Sequence, residues 1–240
     1  MTASAPDPLL AFGAHPDDIE FGCGAVIARE AEHGRFAHFV VASRGEAASH
    51  GTPEERTREA EQGAAHLGAS VEFIDLGGDG HLSANVPHVL RLAAMIRQQR
   101  PRVVLAPTTV PNQHPDHIAL GTMVRDAARL ARYGGVAELR ELPPHAIEVL
   151  LSYAITVEAE PRDIMPLLID VSAAPVMTRW TAALAAHGSQ SRTRNYAELQ
   201  LSRARLAGLR AGVQHAWPLW PADPLLFDSL QPLDRSARRF

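Results

Sequence analysis

Short apolar runs alternate with amphipathic helical patterns over the first two thirds of the chain. Strands and helices that alternate in this way build βαβ units, in which helices cover both faces of a parallel sheet. The sequence therefore predicts an α/β fold: a single-domain, Rossmann-like, mostly parallel sheet. We place its strands at Leu9 to Gly13, Phe36 to Ala42, Val71 to Asp75, Val103 to Ala106 and Val149 to Ala154.

The last third of the chain is less regular. Two amphipathic segments, "APVMTRWTAALAAHGSQ" and "NYAELQLSRARLAGLRAGV", predict helices, and the Pro- and Trp-rich stretch "HAWPLWPADP" predicts an irregular cap. No repeat or long linker divides the sequence. We therefore expect residues 1–240 to form one domain, with about 1–135 as the Rossmann-like core and about 136–240 as additional strands, helices and the cap.

Composition excludes several classes of function. With 23 basic and 27 acidic residues, the chain lacks the positive excess that binds nucleic acid or anionic membranes. All 23 basic residues are arginine, which rules out a Walker-type phosphate loop and a lysine Schiff base. Cys23 is the only cysteine, and the sequence shows neither a signal-peptide pattern nor an apolar run of membrane-spanning length. We expect a cytoplasmic protein whose partner is a small molecule.

Two polar clusters follow predicted strands. The motif "AHPDD" (residues 14–18) follows the first strand, and "HPDH" (residues 114–117) follows the fourth. In a doubly wound sheet the strand order reverses beside the first strand, and the fourth strand commonly opens the other half. The sequence thus predicts an active site at the carboxyl ends of strands 1 and 4.

The residue types in these clusters are typical of a metal site. His15 and Asp18 are three residues apart, as are His114 and His117, and side chains at this spacing can face the same way. Two imidazoles and one carboxylate form a usual ligand set for catalytic zinc, which lowers the pKa of a bound water to about 7. Spacing alone leaves open which histidine of the second pair binds the metal.

The remaining polar residues of the clusters suggest catalytic roles. Asp17 is a candidate general base, because it neighbours a metal ligand. The histidine of the second pair that does not bind the metal could stabilise an oxyanion or protonate a leaving amine. Asp116 could hold that histidine in one tautomer and raise its pKa.

The paired motifs resemble those of the LmbE-like, or phosphatidylinositol-glycan de-N-acetylase, family. The segments "SRGEAASHGTPEERTREAEQGAAHLG", "LGGDGHL", "AAHGSQ" and "YAELQLSRARLAGLRAGV" are also similar to family segments, especially those of the bacillithiol-pathway deacetylases, which act on an N-acetylglucosaminyl malate. The resemblance implies a hydrolase that uses Zn²⁺, or another divalent metal such as Fe²⁺, to remove an acetyl group from an N-acetylglucosamine-type sugar or glycoside. We also expect a homo-oligomer.

The resemblance further implies roles for individual residues. It makes His15, Asp18 and His117 the metal ligands. It makes Asp17 the general base and protonated His114 the residue that stabilises the transition state, with Asp116 behind it. The candidates for substrate binding are Arg56, Asp79, Gln113, Glu46 and Gln190.

Gln113 departs from the family pattern, since bacillithiol-type members usually carry an arginine there. A neutral amide binds a carboxylate more weakly than the bidentate fork of arginine, which weakens the case for a malate aglycone. Two alternatives stay open: an amidase that cleaves sugar-thiol conjugates, and a noncatalytic Rossmann-like binding module.

Overall fold

The computed structural model describes residues 8–192, 194–233 and 236–237. Its strands are β1 (Leu9–Gly13), β2 (Ala37–Val41), β3 (Ala69–Phe73), β4 (Val103–Pro107), β5 (Val149–Tyr153), β6 (Leu167–Asp170) and β7 (Ala216–Pro221). They form one sheet in the order β3-β2-β1-β4-β5-β7-β6, in which β1 to β5 are parallel and β7 is antiparallel to both of its neighbours. The predicted α/β fold with a mostly parallel sheet is confirmed.

The helices are α1 (Asp18–Gly22), α2 (Gly24–Glu32), α3 (Pro53–Leu67), α4 (Val86–Gln99), α5 (Pro115–Arg132), α6 (Ala174–Ala186) and α7 (Tyr196–Ala211). Local signals account for the clearest boundaries. The Thr52 hydroxyl accepts a hydrogen bond from the Glu55 amide at the start of α3, and Gly68 ends that helix in the left-handed conformation. Within the described residues, no helix has the length and apolar character needed to cross a membrane.

The hydrophobic core lies on both faces of the sheet. Along β1, Leu9 and Ala11 belong to one buried cluster, whereas Leu10 and Phe12 belong to the other. This alternation is expected of a strand whose successive side chains point to opposite faces. Burial of both faces also explains why the strands are continuous apolar runs.

The C-terminal region differs from the sequence-based expectation. The stretch predicted as an irregular cap contains β7, which inserts between β5 and β6, and β6 itself was not predicted. Prolines argue against a strand, but Trp217 and Trp220 of β7 are buried, and their packing outweighs that local preference. The third strand also begins two residues earlier than predicted, at Ala69.

Close packing explains Gly22, the last residue of α1. A Cβ atom at Gly22 would collide with the ring of Tyr153. The Gly22 carbonyl oxygen also accepts a hydrogen bond from Trp217 Nε1 at 2.6 Å. These contacts fix α1, and with it the start of the first polar cluster, against β5 and β7.

Candidate active site

The turn between β1 and α1 is strained and held by its own side chains. Asp17 has φ 114° and ψ −29°, in the left-handed region that non-glycine residues rarely occupy. Asp18 Oδ2 accepts hydrogen bonds from the backbone amides of Ala14 and His15, both at 2.8 Å. The turn thereby brings His15, Asp17 and Asp18 together at the cavity described below.

The second cluster begins α5. His114 is the N-cap residue, and its Nδ1 accepts a hydrogen bond from the Asp116 backbone amide at 3.2 Å. Asp116 and His117 occupy the first turn of the helix and are buried. Because Nδ1 is the acceptor, the neutral ring of His114 carries its proton on Nε2.

Three potential metal-binding side chains converge between the clusters. His117 Nε2 lies 3.1 Å from Asp18 Oδ1 and 3.2 Å from His15 Nδ1, and His15 Nδ1 lies 3.4 Å from Asp18 Oδ2. All three side chains are buried. Atoms around a tetrahedral zinc ion, each about 2.0 to 2.2 Å from the metal, are separated by similar distances. The donor set therefore fits a divalent metal ion.

Two further carboxylates lie beside the other nitrogen of the His15 ring. His15 Nε2 lies 3.0 Å from Asp79 Oδ1 and 3.2 Å from Asp116 Oδ2. Burial lowers the pKa of His15, but the carboxylates of Asp18, Asp116 and Asp79 more than offset this and raise the pKa to about 12. This concentration of negative charge strongly favours a cation at the site.

The position of Asp116 differs from the sequence-based expectation. Its side chain accepts hydrogen bonds from the amides of Gly80 and Leu82, at 2.7 and 3.3 Å, and lies against His15. Its hydrogen bond to the His114 ring comes from the backbone amide, not from the carboxylate. The loop that contains Gly80 is distant in sequence, so the motif alone could not reveal this arrangement.

Asp17 lies beside a buried arginine. Arg56 Nη2 is 3.4 Å from Asp17 Oδ2 and donates to the Pro16 carbonyl oxygen at 2.8 Å. Burial raises the pKa of Asp17 to about 6, while the Arg56 guanidinium opposes that rise. The carboxylate is thus mostly ionised at neutral pH and retains useful basicity.

His114 is expected to be neutral at neutral pH. Burial lowers its pKa, and the neighbouring His15 and His117 rings lower it further. The sequence-based expectation was a protonated ring. The structure instead favours a neutral imidazole that offers an Nε2–H donor.

The two clusters open into a cavity of about 520 Å³. Of the residues predicted at the site, those that line the cavity are His15, Asp17, Asp18, Arg56, Asp79, His114, His117 and Gln190. Lining residues not predicted from the sequence include Phe21, Ile155, Tyr196 and Leu199. These four were missed because an apolar residue in a helix or at a strand end carries no local signal of a binding site.

Gln113 was predicted to contact substrate, and the structure places it elsewhere. Its Nε2 donates to the carbonyl oxygens of Thr108 and Val110, at 2.7 and 2.8 Å, and it is not among the lining residues. The amide therefore stabilises the loop before α5. A side chain with donors is useful there because the loop carbonyls lack helix or strand partners.

Glu46 also has a different position from the one expected. Its two carboxylate oxygens accept hydrogen bonds from the amides of Arg44 and Asp79, at 2.9 and 3.1 Å. Asp79 in turn accepts from the Ala47 amide at 3.3 Å. Glu46 thus joins two loops and positions Asp79, without lining the cavity itself.

A buried pair beneath the cavity was not recognised in the sequence. His187 Nε2 lies 3.3 Å from Glu20 Oε1, and both side chains are almost fully buried. His187 lies in the segment "AAHGSQ" quoted above, in which Gln190 donates to the His50 carbonyl oxygen at 2.9 Å. Its partner, Glu20, lies far away in sequence, so only the fold reveals the pair.

Comparison with known proteins identifies the family. The profile of PIG-L, described as GlcNAc-PI de-N-acetylase, matches residues 10–128, which include both polar clusters. The chain belongs to the PIG-L family. Its particular closeness to the bacillithiol-pathway members stays a prediction.

Solved structures related to this PIG-L family chain share its fold. A conserved protein of Thermus thermophilus is 32% identical, with a TM-score of 0.80 over 95% of this chain and 99% of that one. The N,N'-diacetylchitobiose deacetylase of Pyrococcus horikoshii is 19% identical, with a TM-score of 0.77 over 90% of this chain and 83% of that one. At 19% identity, this second likeness shows the fold alone.

One curated relative is named for an activity other than deacetylation. The 4-oxalmesaconate hydratase of Pseudomonas putida is 30% identical over 138 residues, or 52% of this chain and 53% of the hydratase. The match thus spans about half the length of that relative. Membership of the family therefore leaves the reaction of this chain to be argued from its site.

Proposed function

We propose that this protein is a zinc-dependent hydrolase that removes the acetyl group from an N-acetylglucosamine-type sugar or glycoside. The observation that carries the proposal is the convergence of His15, Asp18 and His117 beside the strained Asp17 in one cavity. The family match and the fold shared with a chitobiose deacetylase support the same reaction class.

His15, Asp18 and His117 would hold the metal ion. Two imidazoles and one carboxylate are a common set for catalytic zinc, and non-haem Fe(II) uses the same set. When bound, such a metal lowers the pKa of water and polarises a carbonyl oxygen. Zinc is our proposed cofactor, and Fe²⁺ is the alternative that metal analysis must separate.

Asp17 is the proposed general base. The water that attacks the acetyl carbonyl carbon must lose a proton, which the Asp17 carboxylate accepts. That proton then passes to the amide nitrogen as the C–N bond breaks, so the products are a free amine and acetate. Arg56 supports this role, since its guanidinium stabilises the ionised form of Asp17.

His114 is the proposed donor to the developing oxyanion. Its Nδ1 is occupied by the Asp116 amide, so the neutral ring can donate from Nε2. A donor aimed at charge that develops during the reaction contributes most in the transition state. Asp116 and Asp79 would act indirectly, by orienting His15 through its Nε2 atom.

The substrate is proposed to be a small N-acetylated sugar. Arg56, Asp79 and Gln190 supply polar groups at the cavity surface and stay our candidates for contact with it. Gln113 and Glu46 are withdrawn as contact residues, because neither lines the cavity and both are engaged in loop structure. The single domain, the cytoplasmic location and the homo-oligomeric state stay predictions.

Hydration of a carbon–carbon double bond is a second candidate function, favoured by the identity to 4-oxalmesaconate hydratase. A substrate of that kind carries several carboxylates and needs cations to bind it. Arg56 is the only arginine among the described residues that line the cavity, and it already contacts Asp17. The site therefore favours deacetylation.

Metal analysis and product analysis of the purified protein test the proposal. We expect stoichiometric zinc, acetate release from a panel of N-acetylated sugars, and loss of acetate release after chelation. A sugar-thiol amidase would cleave cysteinyl amides but not acetamides, and a hydratase would consume 4-oxalmesaconate without releasing acetate. A binding module would release no product from any of them. The Asp17→Asn variant controls for contaminating activity.

A further inference from the structure

Four apolar side chains line the same cavity as the polar clusters. We call Phe21, Ile155, Tyr196 and Leu199 the apolar wall. They come from α1, the segment after β5 and the first turn of α7. The ring centroids of Phe21 and Tyr196 are 6.2 Å apart, within the range of packed aromatic pairs. The catalytic roles proposed above use none of these residues.

Hydrogen bonds from α7 hold the apolar wall in place. Gln200 Nε2 and Arg203 Nη1 both donate to the Ile155 carbonyl oxygen at 2.9 Å. Arg203 also donates to Glu160 Oε1 at 2.7 Å. Because these bonds join α7 to the segment after β5, the surface is formed before a ligand arrives, which reduces the entropic cost of binding.

Among the described residues, two buried arginines near the wall, Arg56 and Arg203, are each paired with a carboxylate. Arg56, the only arginine among the described lining residues, contacts Asp17. Arg203 is buried behind the apolar wall and pairs with Glu160. Gln113, directly before the second cluster, is uncharged, and its Nε2 donates to the carbonyl oxygens of its own loop.

Arg194 is a further arginine near the wall. Its guanidinium carbon lies 5.9 Å from the Tyr196 ring centroid, and the residue is exposed and outside the set of lining residues. A guanidinium over an aromatic face is stabilised there by the cation–π attraction. Its role in binding can be tested separately.

We propose that the apolar wall is a subsite for an apolar group of the substrate, so that the N-acylated sugar carries a hydrophobic substituent and not a carboxylate. This inference rests on the proposed deacetylase function and specifies its substrate class. The apolar group can be the aglycone or an acyl chain longer than acetyl, since both present the same chemistry to the wall.

Two substrate series distinguish these sources. The first series keeps the acetyl group and varies the aglycone of N-acetylglucosamine from methyl to butyl, octyl and malyl. The second keeps a methyl aglycone and varies the acyl group from acetyl to butanoyl and octanoyl. All compounds are used below their micellar concentrations, with metal-loaded protein.

We expect kcat/KM to rise by at least about 10-fold from the shortest to the longest member of one series, as is usual for added methylenes in an apolar pocket. A rise in the first series identifies an apolar aglycone, and a rise in the second identifies a longer acyl chain. A flat response in both series, or a preference for the malyl compound over the butyl one, overturns the proposal.

Variants on α7 assign the effect to the wall. Leu199→Ser should remove most of the rise along the series, measured as the ratio of octyl to methyl kcat/KM within the same variant. Leu206→Ser, at a position of the same helix that is 61% exposed, is the matched control and should keep the full rise. If Leu199→Ser also keeps the rise in kcat/KM, the apolar wall is not the subsite.

A variant of Arg194 tests carboxylate binding. Arg194→Gln should not change the ratio of malyl to methyl turnover. A fall in that ratio would show that Arg194 binds the carboxylate of the malyl compound, and it would contradict the proposal.

Direct binding separates this inference from the proposed function. Calorimetry compares the binding of octyl and methyl N-acetylglucosaminide to the Asp17→Asn variant, in which turnover should be slower by about 10² to 10⁴. If the octyl compound binds about 10-fold more tightly and Leu199→Ser abolishes the difference, the subsite stands even if no acetate is ever released. If acetate is released but the two compounds bind equally, the deacetylase proposal stands and the subsite is refuted.

Discussion

Arg56 Nη2 contacts Asp17 Oδ2 at 3.4 Å and the Pro16 carbonyl oxygen at 2.8 Å. The guanidinium therefore does two things at once: it bonds the backbone of the strained turn and stabilises the ionised carboxylate. Gly45, with φ 71°, leaves the room that this buried side chain needs, because a Cβ atom there would collide with the guanidinium. Arg56 is consequently part of the base's surroundings as well as of the cavity surface.

Replacing Arg56 should change the pH profile of the reaction. Asp17 must be ionised to accept a proton, so activity should fall as the pH drops through its pKa of about 6. Arg56 lowers that pKa, and Arg56→Ala should therefore move the acidic limb of kcat/KM to higher pH. The measurement is kcat/KM across the range from acidic to mildly alkaline pH. Arg58→Ala, an exposed site on the same helix, is the control, and an acidic limb that stays in place in Arg56→Ala would contradict the assignment.

Asp17→Asn tests the general base directly. Asparagine keeps the size of the side chain and tolerates a positive φ, so the turn should fold, but the amide cannot accept the proton. We expect the metal to be retained and kcat to fall by about 10² to 10⁴, the usual contribution of general acid–base catalysis. Metal content and kcat are measured on the same preparation. Loss of metal would mean that Asp17, and not Asp18, is the ligand.

The fold and the location of the site were largely predictable because their signals are local. The run Leu9–Gly13 reads as a buried strand, and "AHPDD" and "HPDH" mark the ends of two strands that the topology makes neighbours. Thr52, Pro53 and Gly68 similarly mark the ends of α3. Each inference needs only a few adjacent residues and a general rule of parallel sheets.

The errors concern side-chain partners that come from distant segments. Asp116 turned out to contact His15 and the amides of Gly80 and Leu82, none of which its motif contains. The Gln113 side chain donates a hydrogen bond to the Thr108 carbonyl oxygen in its own loop, and its position in the family motif does not indicate this. A sequence pattern shows which residues share a region, but a hydrogen-bond partner depends on tertiary packing.

The two histidines of the second cluster should respond differently to replacement. His117→Ala removes one of three proposed ligands, so zinc affinity should collapse. His114→Ala should keep the metal and lose about 10² to 10³ in kcat, because it removes a donor to the developing oxyanion. Metal analysis of both purified variants decides the matter. A metal-free His114 variant with a loaded His117 variant would reverse the two roles.

Asp116→Asn tests whether the carboxylate acts through His15. The variant keeps the backbone amide that bonds His114, yet it weakens the acceptor at His15 Nε2. Mutating the hydrogen-bond partner of a metal-binding histidine typically lowers metal affinity by about 10- to 100-fold. We expect Asp116→Asn to lower zinc affinity by a factor in that range. Zinc affinity is measured by competition with a chelator. Asp126→Asn, half-exposed on the same helix, is the control, and equal affinities in both variants would exclude the role.

The buried pair of Glu20 and His187 should make stability depend on pH. Burial lowers the pKa of His187, but Glu20 raises it above the ordinary value overall. The folded state then binds the proton more tightly than the unfolded state. The pair therefore stabilises the folded state fully at pH values below the pKa of His187 in the unfolded chain, about 6.5. This contribution is lost as the pH rises through the higher pKa of His187 in the folded state.

Glu20→Gln removes the charge that stabilises protonated His187. At about pH 6 we expect the free energy of unfolding to fall by about 3 to 5 kcal/mol, the usual effect of removing one partner of a buried pair. The difference between variant and wild type should shrink above about pH 6.5, because the wild type then loses the same contribution. Urea unfolding at several pH values, with the metal chelated throughout, measures the fall in the free energy of unfolding and its dependence on pH.

Glu32→Gln is the control, because it breaks a more exposed pair with Arg179. It should lower the free energy of unfolding by at most about 1 kcal/mol, with little dependence on pH. A Glu20→Gln penalty that is the same at every pH would show that the pair contributes through packing and not through the charge of His187.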